Sequence, residues 1–322
     1  MGNDLPTEVG DRTQFGDLAI VVVNFGPPDL LRHNLVDVGR DLDPAQVVVV
    51  DNHSTDDVRR TVQSQCEEEG WAGVFPAVNT GYGTGNNLGA RAAIAQGARF
   101  LLFLNPDARI DRRSVEMLLD TTRRDNSALV APVIISPAGI TTSTGNILNL
   151  DTGDMQSAAR PERQTPSAVV HWVTGACFLV SVALWERVGG FDDDYFLYWE
   201  DVDLCARVDA AGGRIVVIAE ATAVHQGGAT HTTVGARAKS ATYYYYNIRN
   251  RQIFAAKWLS TERQRKWRRS TVQSALRILL RGGRRQFLHP ISPLTAAWRG
   301  VFDGRRLART VGASTFHRST MQ

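Results

Sequence analysis

The stretch Gly189–Arg207, with the sequence GGFDDDYFLYWEDVDLCAR, combines six carboxylates with a run of aromatic residues in nineteen positions. Glu200 and Asp201 stand where a helix is predicted to begin. That helix is predicted to run from about Asp201 to Ala211, because Gly212-Gly213 suits a helix C-terminus. A carboxylate pair beside aromatic rings can hold a sugar ring against a general base. We therefore predict that this stretch forms one wall of an active site.

The same residues also have a purely structural interpretation. Carboxylates in the first turn of a helix complement the helix dipole, which alone would explain Asp201 and Asp203. Aromatic side chains such as Tyr198 and Trp199 are as readily explained by core packing as by contact with a substrate. The functional interpretation is favoured because acids recur at the ends of predicted strands elsewhere in the chain.

Polar side chains also follow several short apolar runs, where strands are predicted to end. Asn24 ends the first run, and Asp51 follows the second. A carboxylate at Asp51 can accept the N3 imide hydrogen of uracil or thymine, and its alternative role is to cap the next helix. Asn105 and Asp107 follow the run FLLFL, and one carboxylate together with a diphosphate can hold Mg²⁺. His225 is a further candidate ligand, more typical of Mn²⁺, with a structural histidine as the alternative.

The glycine-rich segment Asn79–Gly89, NTGYGTGNNLG, leads into a predicted helix. Its composition allows backbone amides and a helix N-terminus to approach a diphosphate. It lacks the GK[ST] ending of a P-loop, and it does not match the GxGxxG pattern that follows the first strand in dinucleotide sites. A flexible loop without a ligand is the alternative.

The elements that would position these residues alternate between strand and helix over the first 135 residues. Near-continuous apolar, β-branched runs are typical of parallel strands buried on both faces. We predict a doubly wound, mostly parallel α/β sheet flanked by helices, with ligands beyond the carboxyl ends of the strands. The predicted strands are Leu18–Asn24, Gln46–Val50, Phe100–Leu104 and Ala128–Val133, and the predicted helices are Leu30–Arg40, Asp57–Glu69, Asn86–Gln96 and Arg113–Arg124.

Composition excludes several classes of protein. The 322 residues are 43% hydrophobic and 21% charged, which is typical of a globular α/β protein. Three unevenly spaced cysteines indicate neither a disulfide framework nor a CxxC metal site, and they favour a reducing compartment. The segment Ala168–Trp185 is uncharged but interrupted by polar residues, so we interpret it as buried strand and helix rather than a membrane span. The polar N-terminus lacks the blocks of a secretory signal.

The charge of the chain is divided into two parts. Residues Arg249–Arg309 contain 16 Lys or Arg and two acids, whereas the rest contains 20 basic and 31 acidic residues. The segment Lys257–Arg285 has the composition of a cationic amphipathic helix on an anionic bilayer. A solvated helical hairpin and a nucleic-acid surface are the alternatives, of which nucleic acid is the less favoured. Its apolar residues are Trp258, Leu259, Trp267, Val272, Leu276, Leu279 and Leu280.

Five motifs together resemble the family 2 glycosyltransferases of the GT-A fold. They are VVVDNHSTD, NTGYGTGNN, LNPDA, WVTGACFLV and the acidic aromatic stretch, in the order and approximate spacing of that family. The resemblance covers about Leu18 to Asn250 and is nearest to the bacterial rhamnosyltransferase-like branch. The QxxRW motif of processive synthases is missing, which favours transfer of a single sugar.

The resemblance implies a role for each matching position. Asp201 matches the catalytic base, and Glu200 is the neighbouring candidate. Asp107 matches the metal-binding end of a DxD-type motif, although Asn105 replaces its first acid, and His225 matches a histidine near the diphosphate. The donor-binding set is Asn24, Asp51, Asn79, Gly81, Asn86 and Asn105, and the acceptor or sugar contacts are Trp172, Thr174, Gly175, Tyr198 and Trp199.

The resemblance further implies an inverting, metal-dependent transferase that uses Mg²⁺ or Mn²⁺. We expect L-rhamnose from dTDP-L-rhamnose to be moved to a glycan or polyprenyl-linked acceptor in cell-envelope polysaccharide synthesis. UDP-linked galactofuranose, N-acetylglucosamine or another hexose is the alternative donor sugar. A nucleotidyltransferase lacks support because no basic glycine-rich loop follows the first strand. A non-catalytic nucleotide- or polyanion-binding module is the remaining alternative.

The predicted organisation has three parts. Residues 1–17 form a flexible lead, and residues 251–322 form a basic helical tail. Between them, residues 18–250 form the catalytic domain, with a nucleotide-binding half at 18–135 and an acceptor half at 136–250. We expect a cytoplasmic protein held peripherally on the inner face of the plasma membrane by the tail, with no nucleic-acid partner.

Overall fold

The computed structural model of the chain describes residues 14–43, 45–159, 168–227, 239–283 and 291–311. Most of the predicted N-terminal lead lies outside these ranges. The alternation of strand and helix predicted for the first half is confirmed, mostly to within two residues. The strands are β1 (Leu18–Asn24), β2 (Gln46–Asp51), β3 (Ala72–Val74), β4 (Phe100–Leu104), β5 (Ala108–Ile110), β6 (Ala128–Ile135), β7 (Thr141–Ser143), β8 (Asn146–Asn149), β9 (Met155–Ser157), β10 (Val169–Trp172), β11 (Cys177–Ser181) and β12 (Arg214–His225).

Helices follow most of the strands and pack on the sheet. Several helices begin at a residue whose side chain caps the helix. The side chains of Thr55 and Asp111, for example, accept a hydrogen bond from the backbone amide three residues later. The helices are α1 (Asp29–Asp41), α2 (Asp56–Glu69), α3 (Tyr82–Ala95), α4 (Arg112–Arg124), α5 (Val182–Val188), α6 (Glu200–Ala210), α7 (Ala241–Trp258), α8 (Thr261–Arg269), α9 (Thr271–Leu280) and α10 (Ile291–Val311).

The main sheet has the strand order β3-β2-β1-β4-β11-β6-β12-β5, with β7 paired to β6. Strands β3, β2, β1 and β4 are mutually parallel, and β12 is parallel to β6. Strand β11 runs antiparallel between β4 and β6, so the parallel group and β6 share one direction. Strands β10, β8 and β9 form a separate antiparallel sheet.

Two hydrophobic clusters cover the two faces of this sheet, which explains the apolar runs in the sequence. Alternate residues of β1 point to opposite faces, so Ile20 and Val22 join one cluster and Ala19 and Val21 join the other. All seven residues of β1 are buried. The prediction of strands buried on both faces is therefore confirmed.

The uncharged segment Ala168–Trp185 forms β10, β11 and the start of α5, so its interpretation as buried strand and helix is confirmed. None of the helices in the described ranges has the length and apolar character needed to cross a bilayer. Cys66, Cys177 and Cys205 are all free and buried.

The glycine-rich segment differs from its prediction. Helix α3 begins at Tyr82, four residues before the predicted start, so most of the segment is helix rather than loop. A Cβ atom on Gly89 would lie 2.5 Å from Val21 Cγ1, and one on Gly85 would lie 3.0 Å from Val23 Cγ1. These glycines therefore serve close packing of α3 on β1 and do not line a phosphate loop.

The predicted boundary between catalytic domain and tail at residue 250 falls inside α7 and is not a break in the fold. Ile253 and Phe254, just beyond it, are buried in a cluster with Tyr195 and Trp199. The predicted Lys257–Arg285 helix is two helices, α8 and α9, that meet at Ser270. Arg285 itself lies outside the described residues.

The apolar residues predicted to face a membrane divide into two groups. Leu259, Trp267 and Leu279 are buried against the body of the protein, and Trp258 is partly buried there. The prediction of a membrane face was wrong for these four because the helices use them to complete the core. Val272, Leu276 and Leu280 are exposed.

Candidate active site

The carboxyl ends of β1, β2, β4 and β12 lie at one edge of the sheet, because these strands share a direction. The first side chain at this edge is Asp51, which is fully buried and paired with Arg59 at 3.2 Å between Oδ2 and Nε. Its Oδ1 has no hydrogen-bond partner among the described residues. Asp51 is thus an anchored carboxylate with one oxygen that no described residue satisfies.

Asn52, which follows Asp51, organises the neighbouring loop. Its Nδ2 donates to Asn79 Oδ1 at 3.0 Å and to the Gly81 carbonyl at 2.9 Å, and its Oδ1 accepts from Thr80 N. Its backbone amide donates to the Asn24 carbonyl at 2.8 Å. The structure therefore brings the predicted residues Asn24, Asp51, Asn79 and Gly81 together around one amide.

Gly81 is the turn between this loop and α3. Its φ is +87°, and a Cβ atom would lie 2.4 Å from the Phe196 carbonyl oxygen, so no other residue fits. Asn86 lies one turn into α3, where it is buried and donates to the Tyr82 carbonyl at 3.0 Å. Its amide group is therefore engaged within its own helix.

Asn105, Asp107 and His225 form the second group at this edge. His225 Nε2 lies 3.1 Å from Asp107 Oδ1 and 3.4 Å from Asn105 Nδ2. The pairing of His225 with Ala108 in the β12 and β5 ladder fixes this arrangement. Asp107 is buried, and Asn105 Oδ1 is a buried oxygen without a hydrogen-bond partner in the described part of the chain.

These three side chains fit a divalent cation. A carboxylate oxygen, an imidazole nitrogen and an unpaired amide oxygen suit Mn²⁺, and oxygen ligands suit Mg²⁺. The described residues contain no group of three or more His, Cys, Asp or Glu side chains that could hold a metal ion. Asp107 and His225 would therefore share the cation with oxygens of a ligand, and Asn105, whose Nδ2 faces His225, would join them through Oδ1 only if its amide group turned over.

Asp201 lies in the first turn of α6, opposite the segment between β10 and β11. Its Oδ2 accepts from Gly175 N at 3.3 Å, and its Oδ1 accepts from Val202 N at 2.9 Å. The Gly175 carbonyl accepts from Tyr82 Oη at 2.6 Å. Asp201 is therefore held in place by backbone donors while remaining only half-buried.

Burial raises the pKa of Asp201 to about 6, against the lowering effect of the hydrogen bonds from Val202 and Gly175. Burial, and then the charge of Asp201, raise the pKa of Glu200 well above its usual value. Oε2 of Glu200 has no hydrogen-bond partner among the described residues. Burial thus makes both neighbouring carboxyl groups more basic than free ones.

Asp203, the third acid in this turn, has a structural role. It is buried, with Oδ2 accepting from Arg207 Nε at 2.8 Å and Oδ1 from Trp258 Nε1 at 2.8 Å. Both of its oxygens are occupied by protein donors. Asp203 therefore has the structural role that the sequence analysis gave as the alternative to a catalytic one.

The backbone before α6 is strained. Tyr198 and Trp199 both have left-handed φ values, 66° and 75°, which bulky residues rarely adopt. Asn250 of α7 is fully buried, and its Nδ2 donates to the Leu197 carbonyl at 2.9 Å and to the Tyr198 carbonyl at 2.7 Å. The side-chain amide of Asn250 therefore fixes the turn that precedes Glu200.

The predicted sugar contacts are distributed differently. Trp199 is only 4% exposed and packs against Phe254 and Trp267, so its interpretation as a sugar contact is replaced by core packing. Tyr198 is half-buried against the edge of Tyr243. Burial raises the pKa of its hydroxyl to about 12. Trp172 lies on β10, where its Nε1 is buried without a partner in the described ranges.

One backbone hydrogen bond links the strand end that carries Asp107 to the segment that contacts Asp201. Asn105 N donates to the Ala176 carbonyl at 2.9 Å, so the strand end that carries Asp107 is bonded to the segment that carries Gly175. Thr174 lies in the same segment, where its Oγ1 accepts from Ala176 N at 3.4 Å. The candidate metal ligands and the candidate general base are thus parts of one hydrogen-bonded frame.

Sequence reasoning missed Asn52, Arg59, Tyr82 and Asn250. Asn52 and Tyr82 lie inside segments already singled out, namely VVVDNHSTD and NTGYGTGNN, and Asn250 lies at the predicted end of the catalytic domain. Their types gave a signal, because buried amides and phenols need hydrogen-bond partners. Their partners lie far away in the sequence, as with Asn250 and Tyr198, and only the fold identifies them.

Comparison with known proteins decides the family. A sequence profile described as "Glycosyl transferase family group 2" matches residues 100–302, which is more than half of the chain. The chain belongs to this glycosyltransferase family. The match extends through α7, α8 and α9 into α10, so the family region includes most of the segment predicted as a separate tail.

Two characterised relatives are similar along most of their length. The low-salt glycan biosynthesis hexosyltransferase Agl10 of Haloferax volcanii is 26% identical over 246 residues, which cover 74% of this chain and 76% of that protein. The N-acetylglucosaminyl-diphospho-decaprenol L-rhamnosyltransferase of Mycobacterium tuberculosis is 31% identical over 234 residues, covering 65% and 75%.

Solved structures show the same fold at low sequence identity. The mannosyltransferase PcManGT from Pyrobaculum calidifontis, in complex with GDP-Man and Mn²⁺, has a TM-score of 0.54 at 16% identity and covers 96% of this chain and 91% of its own. GalNAc-T7, solved with UDP, GalNAc and Mn²⁺, has a TM-score of 0.59 at 13% identity. The match covers 80% of this chain, which spans 51% of GalNAc-T7. The chain therefore has the GT-A fold, as the resemblance of its motifs to family 2 glycosyltransferases predicted.

Proposed function

We propose that this glycosyltransferase moves one L-rhamnose residue from dTDP-L-rhamnose to a lipid-linked or glycan acceptor, with inversion at the anomeric carbon. The donor sugar is favoured by the 31% identity to an enzyme named as an L-rhamnosyltransferase. The acceptor is favoured by the same name, which specifies an N-acetylglucosaminyl diphospholipid. We infer that the product would serve the synthesis of a cell-envelope polysaccharide.

The observation that carries the proposal is the frame that joins Asp107 to Asp201. The Asn105 to Ala176 hydrogen bond and the Gly175 to Asp201 hydrogen bond hold both acids at one edge of the sheet. A glycosyl transfer by inversion needs a base on one side of the anomeric carbon and a stabilised leaving group on the other. Asp201 would supply the base, and Asp107 would act on the leaving-group side.

In the proposed reaction Asp201 takes the proton of the acceptor hydroxyl. The hydroxyl oxygen forms a bond to the anomeric carbon on the face opposite the nucleotide, and the bond between that carbon and the diphosphate oxygen breaks. The electron pair of that bond leaves with the nucleoside diphosphate. Asp51 would accept the N3 imide hydrogen of the thymine through its unpaired oxygen, while Arg59 keeps the carboxylate oriented.

Mg²⁺ or Mn²⁺ bound by Asp107, His225 and Asn105 would neutralise charge on the diphosphate. Both of the neighbouring structures described above were solved with Mn²⁺. The protein's own contribution there is the fixed spacing of Asp107 and His225, whose closest side-chain atoms are 3.1 Å apart.

We further infer that the enzyme works peripherally on the inner face of the plasma membrane.

Calorimetric titration with dTDP and with UDP, each with and without Mg²⁺ or Mn²⁺, tests the donor site. We expect dTDP to bind only when the metal is present. The Asp107→Asn variant should weaken this binding at least about tenfold. Tighter binding of UDP would move the donor to a UDP-linked hexose. Binding of neither nucleotide with either metal would refute the donor site itself.

The transfer itself is tested with dTDP-L-rhamnose and a synthetic N-acetylglucosaminyl diphospholipid. The expected product carries one rhamnose, and its anomeric configuration, read by NMR, is opposite to that of the donor. Retention of configuration would refute the role given to Asp201.

A further inference from the structure

Ten large hydrophobic side chains are exposed among the described residues, and seven of them lie on the last two helices. The other three, Phe25, Val78 and Ile140, are scattered over the rest of the surface. A concentration of this kind is unusual on a soluble surface and marks a site of interaction. We name the seven the α9–α10 face: Val272, Leu276, Leu280, Ile291, Leu294, Trp298 and Phe302.

Helix α10 has two opposite sides. One side packs closely on α7, where a Cβ atom on Gly300 would lie 2.7 Å from the Tyr245 carbonyl oxygen and Ala296 and Ala297 are buried. The spacing of Ile291, Leu294, Trp298 and Phe302 places them together on the side that points away from α7. Trp298 and Phe302, 67% and 58% exposed, stack on each other with ring centroids 5.8 Å apart.

Helix α9 repeats this division. Ala275, Ile278 and Leu279 are buried in the cluster that α9 shares with α10 and α7. Val272, Leu276 and Leu280 follow one another at intervals of four residues, so they form a second exposed stripe. The core does not use these residues, although it uses the other apolar positions of the same helix.

Exposed arginines surround both stripes. Arg268, Arg269 and Arg281 flank the stripe of α9, and Arg305, Arg306 and Arg309 continue the outer side of α10. Each of the six is exposed, and none forms a salt bridge with a described residue. The two acids of α8–α10 are already engaged, Glu262 by Lys266 and Asp303 by Tyr245 Oη.

We propose that the α9–α10 face lies on an anionic lipid bilayer, with Trp298 and Phe302 inserted at the boundary between headgroups and acyl chains. Apolar stripes rimmed by arginine are the pattern of helices that lie in the plane of an interface. Each arginine near an anionic surface adds attraction that acts over about one Debye length. Aromatic rings are well suited to the interfacial depth.

The charge distribution favours a bilayer over the other occupants. A second copy of the chain docked on the same face would bring two arginine rims together, which is unfavourable. A nucleic acid would use the arginines but has no complementary surface for seven exposed apolar side chains. An anionic bilayer satisfies both features at once.

This inference deepens the proposed function, because a lipid-linked acceptor would be presented at the same surface. Helix α7 contacts both regions: it packs on α10 through Ile248 and clamps the turn before Glu200 through Asn250. A bilayer under α9 and α10 would therefore be rigidly related to the candidate active site.

The test is co-sedimentation of the full chain with vesicles, without donor or acceptor. Vesicles of phosphatidylcholine with about 30% phosphatidylglycerol are expected to bind the protein, and pure phosphatidylcholine vesicles at least about tenfold more weakly. Raising NaCl from about 0.1 M to about 0.5 M should reduce binding to the anionic vesicles, because it screens the arginines.

Two double variants locate the surface. Trp298→Ser with Phe302→Ser, and Arg305→Glu with Arg306→Glu, should each lower the partition coefficient at least about tenfold. Val78→Ser with Ile140→Ser, at 64% and 66% exposure, is the apolar control. Arg60→Glu with Arg124→Glu, at 70% and 80% side-chain exposure, is the charge control.

Circular dichroism and thermal unfolding establish that each variant is folded. Equal binding to neutral and anionic vesicles, or unchanged binding by the Trp298 and Phe302 variant, would overturn the proposal. A concentration-dependent dimer that this variant abolishes would assign the face to a second copy instead. Donor binding is measured separately, so a protein that binds dTDP but not vesicles refutes this inference alone, and a protein that binds vesicles but neither dTDP nor UDP refutes the proposed function alone.

Discussion

Asp201 is the residue on which the proposed chemistry depends most directly. It is half-buried, it accepts hydrogen bonds from Gly175 N and Val202 N, and neither of its oxygens is neutralised by a described cation. A carboxylate that is oriented but not paired with a cation remains basic enough to take a proton. The neighbouring acids differ: Asp203 is paired with Arg207, and burial raises the pKa of Glu200 well above its usual value.

Replacing Asp201 by asparagine should therefore separate catalysis from binding. Asp201→Asn is expected to lower kcat about 10²- to 10⁴-fold, equivalent to about 3 to 5 kcal/mol, with donor affinity unchanged. Steady-state kinetics and calorimetry with dTDP measure the two effects. Asp209→Asn, an exposed position on the same helix, is the matched control. A fully active Asp201→Asn enzyme would transfer the role of base to Glu200.

The pH dependence of the reaction follows from the raised pKa of Asp201. The base must be deprotonated, and burial raises its pKa to about 6, so kcat/KM should be constant above that pH and fall up to tenfold per unit below it. Rates measured from about pH 5 to pH 8 at saturating metal check this. Glu200→Gln removes the second carboxyl group of the pair and should keep the acid limb. Loss of the limb in Glu200→Gln would identify Glu200 as the titrating group.

At the scale of elements, α7 positions the catalytic turn as well as forming part of the core. Asn250 holds the Leu197 and Tyr198 carbonyls, while Arg249 Nη1 donates to the Asp194 carbonyl at 3.0 Å. Lys257 pairs with Asp192 and, at 2.7 Å, with Asp194. A strained pair of left-handed residues persists only where the surrounding structure holds it, and α7 supplies that restraint.

Asn250→Asp tests this positioning role. It replaces the donating amide by a carboxylate that faces two carbonyl oxygens, so we expect kcat to fall at least about tenfold with little change in the KM for donor. Asn247→Asp is the control, because Asn247 makes only a local bond to the Tyr243 carbonyl on the same helix. Equal kinetic losses in both variants would show a general effect on α7. Asn250→Gln provides a second, uncharged variant if Asn250→Asp does not fold.

At the scale of the whole molecule, the basic C-terminal region both completes the core and presents a surface. Trp267 is 1% exposed, lies under the Arg251 guanidinium at 4.2 Å, and donates from Nε1 to the Leu150 carbonyl at 2.9 Å. Burial lowers the pKa of Arg251 to about 10. Trp298 belongs to the same region and is largely exposed.

These two tryptophans should respond very differently to truncation. Trp267→Ala is expected to lower the free energy of unfolding by about 3 to 5 kcal/mol, because it opens a cavity in the core. Trp298→Ala should change it by no more than about 0.5 kcal/mol. Urea unfolding followed by circular dichroism measures both values. A small loss for Trp267→Ala would mean that the region after α7 is dispensable for the fold.

Much of this molecule follows from local pattern. The runs LAIVVVN, QVVVV and FLLFL predict β1, β2 and β4 because strands buried on both faces must be apolar throughout. Asp51 and Asp107 come at or just after the ends of two such strands, and the carboxyl ends of parallel strands share an edge of the sheet. The motifs in order indicated the family, which the profile match confirms.

Features that depend on distant neighbours did not follow from pattern. Helix α3 begins early although glycine has a low helix propensity. Its glycines allow the helix to pack closely on β1, as the approach of Gly89 to Val21 shows. Trp267 and Trp298 lie in similarly basic helical segments, and only packing determines which of them is buried. Local sequence specifies periodicity and propensity, whereas burial and hydrogen bonding between residues such as Asn250 and Tyr198 depend on how the chain returns to itself. For that reason the sequence indicates the candidate acids, but not the role of α7, which holds the turn before Glu200.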